Sequence, residues 1–357
     1  LMHTMQTDTR TTLPPAPPVE ERSNVTLEEF RDEILPGARP VLMKGFIGHW
    51  PAVQAAQKST ETIIDYVKRF DARRPVETIF GSPEIAGKYF YNEDLTGLNF
   101  TKRPAVISDS IDAVAHLRGE EHPDSVYIQS VPMHDNLPGF ADNNPIGVLP
   151  PVIEPRIWIG NKLTVQTHFD VLENIAGVVA GRRRFTLFPP DQTPNLYVGP
   201  FELTLAGPPV SLVRLEDPDF ERYPRFADAW PHAQSAELEP GDALFIPYFW
   251  WHHVESLEDF NMLVNYWWND ASKSLASPFD SLLHAIIAIR DLPPHQKAAW
   301  KMMFEHYAFQ ENGDPVAHLP PHSKGALGPH TPEQRDKLKA TLAQALARQA
   351  GLVPRGR

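Results

Sequence analysis

Hydrophobic and polar positions alternate in short runs through the middle of the chain, with no helical period among them. Arg156-Ile157-Trp158-Ile159-Gly160 opens the series, and Leu163 to Asp170 follows. Asn174 to Ala180 is largely apolar, with Gly181 at a turn, and Arg183 to Phe188 runs into Pro189-Pro190. Glu239-Pro240-Gly241-Asp242 is a turn signal before Ala243-Leu244-Phe245-Ile246-Pro247. Trp251 to Ser256 and the aromatic, β-branched run Phe260 to Trp268 complete it. Several short strands separated by turns predict a mainly β fold, an antiparallel sandwich or barrel.

Helical spacing appears on both sides of this block. Thr26 to Leu35 starts like a capped helix after Asn24, and Pro40 to Gly45 reads as a strand. Thr60 to Phe70 places Ile63, Ile64, Val67 and Phe70 on one helical face. After Trp268, Leu282, Ile286 and Ile289 share a face, Pro293-Pro294 breaks the chain, and Trp300, Met303, Phe304 and Tyr307 recur at helical spacing. The expected organisation is a mobile proline-rich arm over residues 1–24, an N-terminal α/β extension over 25–125, a barrel core over 126–270 and a helical region over 271–350. Leu352-Val353-Pro354-Arg355-Gly356 reads as a protease-cleavage linker.

The chemistry concentrates in His168-Phe169-Asp170. In a strand, residues i and i+2 share a face, so His168 and Asp170 converge while Phe169 packs away. Two imidazoles and a carboxylate form the ligand set of a mononuclear non-haem iron(II) site with open positions. The third ligand must come from another strand, and Trp250-Trp251-His252-His253 offers one; alternation puts His252 and His253 on opposite sides. A second His-x-Asp, His122-Pro123-Asp124, lies in a polar, proline-broken stretch and reads as a surface loop.

Composition narrows the class. The 357 residues carry a net charge of −12 and no basic cluster beyond Arg182-Arg183-Arg184, which argues against a nucleic-acid partner. Cysteine is absent, excluding disulfides and thiolate metal sites. No run has transmembrane length and no apolar signal core stands near residue 1, so the expectation is a cytoplasmic protein without membrane contact.

These segments together resemble the JmjC-type cupins, oxygenases that use iron(II) and 2-oxoglutarate, and among them the asparaginyl hydroxylases. The resemblance runs from about Pro40 to Trp268. It is carried by Tyr127-Ile128-Gln129, His168-Phe169-Asp170, Arg183 to Gln192 with its Phe-Pro-Pro-Asp-Gln, Gly241 to Pro247, Trp250-Trp251-His252-His253-Val254, and Val264-Asn265-Tyr266-Trp267. It implies a double-stranded β-helix (jelly-roll) barrel and metal ligation by His168, Asp170 and His252. It further implies iron(II), 2-oxoglutarate and O2 as the reacting set, with succinate and CO2 as co-products. Arg183 and Tyr127 would meet the distal carboxylate of 2-oxoglutarate, and Asn174 and Asn265 its C1 end. Tyr248, Phe249, Trp250, Tyr266 and Trp267 are candidates for shielding the site, with Trp267 grouped among the cosubstrate residues. A protein or peptide side chain is the expected substrate, and a homodimer through the C-terminal helices the expected state. Lysine demethylation, small-molecule hydroxylation and a non-catalytic metal-binding cupin are the alternatives.

Two departures stand out. Arg183 replaces the lysine of the related hydroxylases, keeping charge but changing reach. Val165 replaces a threonine three residues before the first ligand; Thr164 and Thr167 could compensate only through a change of register.

Overall fold

The computed structural model describes residues 13–353. Among the described residues thirteen strands form two sheets: β1 (Glu20–Ser23), β2 (Val41–Lys44), β3 (Pro75–Gly81), β4 (Thr101–Val106), β5 (Ser125–Pro132), β6 (Arg156–Gly160), β7 (Thr164–His168), β8 (Glu173–Ala180), β9 (Arg183–Phe188), β10 (Gln234–Leu238), β11 (Ala243–Ile246), β12 (Trp251–Ser256) and β13 (Asn261–Trp268). The nine-stranded sheet has the order β1-β2-β11-β8-β13-β6-β5-β3-β4, and the four-stranded sheet β10-β9-β12-β7. This is the cupin barrel with additions. The seven strands read from alternation, β6 to β9 and β11 to β13, build its two facing walls together with β10, which the sequence reading did not include.

Side-chain period explains the filling. On β8, β9, β11 and β13 alternate residues Ala176, Val178, Phe185, Leu187, Leu244, Ile246 and Leu263 form one buried cluster between the sheets. The other faces of β8 and β13 pack under the helices Pro51–Lys58 and Thr60–Lys68, where Ile63, Ile64 and Val67 are buried as the spacing predicts. The 25–125 segment contributes β2, β3 and β4 directly to the large sheet. Asp242 closes the Glu239–Asp242 turn: its carboxylate accepts from Glu239 N and Gly45 N and pairs with Lys44 Nζ at 2.9 Å.

The N-terminal arm differs from expectation where it is described; residues 1–12 lie outside the described residues. Pro17 O accepts from Ser235 N, Val19 N donates to Ser235 O, and β1 pairs in parallel with β2. Proline leaves its carbonyl free to accept, so an extended proline-rich segment can still dock on a strand edge. The first helix is capped by Thr26, not Asn24: the Thr26 hydroxyl accepts from Glu29 N. His122 and Asp124 are exposed, and His122 to Asp124 lie outside any strand.

The chain divides into compact units at Asn269/Asp270. The C-terminal unit holds helices Pro278–Ile289, Pro294–Met303 and Pro332–Gln349, the last opened by a Thr331/Gln334 capping box. Among the described residues no helix is long and apolar enough to cross a membrane.

Candidate metal and cosubstrate site

β7 and β12 are neighbours in the smaller sheet, and their register sets His168 opposite His252. The imidazole centroids lie 4.2 Å apart, and His252 Nε2 is 3.4 Å from an Asp170 carboxylate oxygen. One ligand atom from each of His168, Asp170 and His252 lies within 4.8 Å of the others. The backbone fixes both tautomers: His168 Nδ1 donates to Gln166 O at 2.8 Å and His252 Nδ1 to Trp250 O at 3.0 Å. Each Nε2 therefore carries its lone pair, as a metal ligand must. Desolvation, with His252 beside it, holds His168 at about 4, so it is neutral at physiological pH. Burial works against the Asp170 carboxylate, but the hydrogen bond to His252 and the adjacent imidazoles outweigh it and keep the carboxyl below its ordinary range.

Backbone contacts hold Asp170 from behind. Phe249 N donates to Asp170 O at 3.0 Å, with Phe249 at φ 68 in the left-handed region. Its ring stacks on Phe169 at 4.3 Å, and Trp251 meets Phe169 edge-on. Phe169 thus packs away from the ligands, although the strand ends at His168 and, unlike the expected run to Asp170, leaves Phe169 and Asp170 beyond it.

The triad opens onto a cavity of about 100 Å³. At about 10–15 Å³ of such space per water, this accommodates roughly seven to ten water-sized atoms. 2-Oxoglutarate has about ten non-hydrogen atoms. Tyr127, Asn174, Arg183, Asn265 and Trp267 all line it, together with His168, Asp170 and His252. Arg183 is 3% exposed, and its Nε and Nη2 have no hydrogen-bond partner. Burial lowers its pKa, with the Tyr127 hydroxyl beside it pulling the other way. A buried guanidinium with idle donors is an anion site in need of an anion. Its neighbours behave otherwise: Arg182 pairs with Glu237 and Glu258, and Arg184 with Glu237 and Glu255, all partly exposed.

Asn174 and Asn265 are buried and linked. Trp158 Nε1 donates to Asn265 Oδ1 at 2.7 Å, and Asn265 Nδ2 donates to Asn174 Oδ1 at 3.2 Å. The Trp267 indole N–H is buried beside the Asp170 carboxylate, close enough to favour its charge but without a formed hydrogen bond. Of the other aromatics proposed for shielding, Trp250 and Tyr266 belong to the core clusters, and Phe249 packs on Phe169.

The departure at Val165 has a structural reason. The β7–β12 register runs His252↔His168, then Val254↔Val165, so a bulge absorbs one residue of β7. Val165 thereby comes to the cavity face, and Thr167 is buried without lining the cavity. His253 faces away from the triad yet is buried beneath the 198–232 insert, 3.9 Å from Glu216. Gln166 donates to the same Glu216. Sequence reading missed Gln129, Trp158 and the Leu205, Ala206, Pro208 and Val210 wall; the Pro-Gly-rich insert gave no period to place it.

Residues 27–274 match the family described as "Cupin-like domain". The chain belongs to the cupin-like domain family. This cupin-like chain is 28% identical over 246 residues to a protein from Xenopus tropicalis named lysine-specific demethylase 8, covering 68% of this chain and 51% of that protein. It is 26% identical over 275 residues to tRNA wybutosine-synthesizing protein 5 of Gallus gallus, covering 71% and 78%. Over 119 residues it is 39% identical to human HSPB1-associated protein 1, covering 32% and 23%. The chain thus spans about half the length of the first of these relatives.

Proposed function

We propose that this cupin-like chain is an iron(II)- and 2-oxoglutarate-dependent oxygenase that hydroxylates a side chain of a protein or peptide. The observation that carries this is Arg183: a metal-only module has no use for a buried guanidinium with idle donors lining the cavity, four residues along β9 from Leu187, the residue paired with His252. When bound, the metal and cosubstrate supply the oxidation, consuming O2, releasing CO2 and succinate, and placing one oxygen atom in a substrate C–H bond.

The chain's residues do the rest. His168, Asp170 and His252 offer two nitrogens and one carboxylate and leave positions open. Arg183 offers charge-assisted donors to the distal carboxylate, with Tyr127 beside it. The Trp158–Asn265–Asn174 chain presents oriented polar groups without rotamer freedom, because each amide is already tied. Val165, Phe185, Ile246, Val254 and Leu263 keep the cavity wall apolar and water out.

Demethylation of lysine, the activity in a relative's name, is the second reading. It uses the same iron chemistry, and only the substrate separates the two. The proposed setting is cytoplasmic, and the proposed state is a homodimer through the C-terminal helices.

The test is anaerobic titration of metal-free protein with Fe(II) and then 2-oxoglutarate, following the weak visible charge-transfer band of the chelate. A band abolished in His168→Ala and weakened in Arg183→Ala is expected. Metal binding with no band on adding 2-oxoglutarate would sink the oxygenase reading and leave a metal-binding cupin.

A further inference from the structure

β3 and β5 separate like a fork. They pair from Gly81↔Ser125 to Thr78↔Ile128, and the pairing stops there. Both strands continue: β3 runs back to Pro75 with only its outer edge paired to β4, and β5 runs on to Pro132 with only its inner edge paired to β6. A bulge marks the branch point. The β5–β6 register jumps from Ile128↔Ile159 to Val131↔Ile157, with Ser130 at φ 52. A trough of about 750 Å³ fills the fork, walled by residues 74–77 and 129–132. Its inner end shares Gln129, Leu205 and Ala206 with the cosubstrate cavity.

The trough is more basic than a chain of net charge −12 would suggest. Arg74, Lys102 and Arg156 line it with Glu77; Lys102 pairs with Glu77 at 3.6 Å, and Arg74 reaches Asp135 at 3.8 Å as a mostly exposed, weak pair. Arg156 stands at the junction: its Nη1 donates to Ser130 O and Oγ, and the guanidinium lies 5.7 Å from the Trp267 ring centre. Lys102 Nζ donates to Leu205 O and so holds the opposite wall in place.

From this geometry we infer that an acidic peptide segment binds as an extended strand in the β3–β5 fork, leading the residue to be oxidised past Gln129 into the cavity. Beyond Thr78↔Ile128 the facing edges of residues 76–77 and 129–131 are not paired to each other, and although Ser130 O is taken by Arg156, this spacing suits a polypeptide backbone by strand addition. Arg156 and the exposed Arg74 favour carboxylates on that segment. An RNA strand is disfavoured: it has no use for main-chain pairing, and Glu77 would face its phosphates.

The inference rests on the oxygenase reading, but its test does not read turnover. The probes are two end-capped, fluorescein-labelled peptides of alternating residues, Thr-Asp and Thr-Lys, with an oligo(A) RNA as competitor. Fluorescence polarisation is read on Fe(II)- and 2-oxoglutarate-loaded protein under anaerobic conditions. Thr-Asp is expected to bind at least about ten-fold tighter than Thr-Lys, and Arg74→Gln/Arg156→Gln to lose about that factor. Amide exchange should slow at residues 76–77 and 129–131 when Thr-Asp is bound. Equal binding of the two peptides, no binding of either, protection elsewhere, or displacement by oligo(A) at lower concentration than unlabelled Thr-Asp would each overturn the inference. An intact visible band in the same sample shows that such a failure belongs to the fork alone; a missing band assigns it to the oxygenase reading.

Discussion

Val165 faces Val254 across the β7–β12 bulge, and the pair forms an apolar wall beside the metal ligands. The bulge places position 165 on the same face as His168, an odd number of residues away, which regular alternation forbids. A hydroxyl there would project into the cosubstrate cavity. Val165→Thr is nearly isosteric and should fold. One added hydrogen bond is worth about 0.5–1.5 kcal/mol, so 2-oxoglutarate should bind roughly 2- to 12-fold tighter in the visible-band titration. Unchanged or weaker binding would place the cosubstrate away from β7.

Arg183 and Tyr127 set up a second comparison, between stability and binding. A buried guanidinium with two idle donors costs free energy in the empty protein. Arg183→Met removes the charge while keeping much of the volume. The ligand-free variant should be as stable as the parent or more so, by roughly 1–4 kcal/mol in denaturant melts. The same variant should lose 2-oxoglutarate affinity by about 100-fold or more, the scale of one buried charge-assisted contact. A destabilised variant that still bound 2-oxoglutarate would show Arg183 to be a structural ion.

The metal-free protein should lose stability in acid through its ligands. His168 titrates at about 4 in the folded chain against an ordinary 6.5. The unfolded chain therefore takes up its proton first. The contribution is whole above about pH 6.5 and drains away as pH falls to about 4, by roughly 3 kcal/mol at most. Burial lowers His253 as well and adds loss in the same direction. Asp170, held below its usual range, adds its loss only at still lower pH. Melting curves from pH 7.5 to 4 should show this slope, and His168→Asn should reduce it near pH 5 by about one proton. An unaltered slope would assign the acid sensitivity elsewhere.

Much of the barrel was legible because its signals are local. Alternation and Pro or Gly turns gave β6 to β9 and β11 to β13, and i, i+2 geometry gave His168 with Asp170. Arg183 was separable from Arg182 and Arg184 by the same alternation. What stayed hidden depends on distant partners. The docking of Pro17 and Val19 on Ser235 is a pairing across more than 200 residues. The β7 bulge leaves no mark in Thr164-Val165-Gln166-Thr167, where every residue suits a strand. The fork exists only because β3 and β5 diverge, and the Leu205–Val210 wall has no repeating period.

The C-terminal unit supplies the last prediction. Helix Pro278–Ile289 carries Leu282, Leu283 and Ile287, and the segment Pro294 to Ala308 carries Trp300, Met303, Phe304 and Tyr307. All seven are exposed in the single chain, Ile287 at 78%. Two consecutive helices with large apolar side chains in water exceed the scattered exposure usual for a monomer, and a second copy burying them would remove about 25 cal/mol of cost per Å² covered. A two-fold helical interface would need roughly 800 Å² from each subunit. Sedimentation equilibrium should return twice the chain mass at micromolar concentration. Trp300→Glu with Phe304→Glu should return the monomer, with the melting transition of residues 13–269 retained. A monomeric parent would leave these helices without a like partner and refute the dimer.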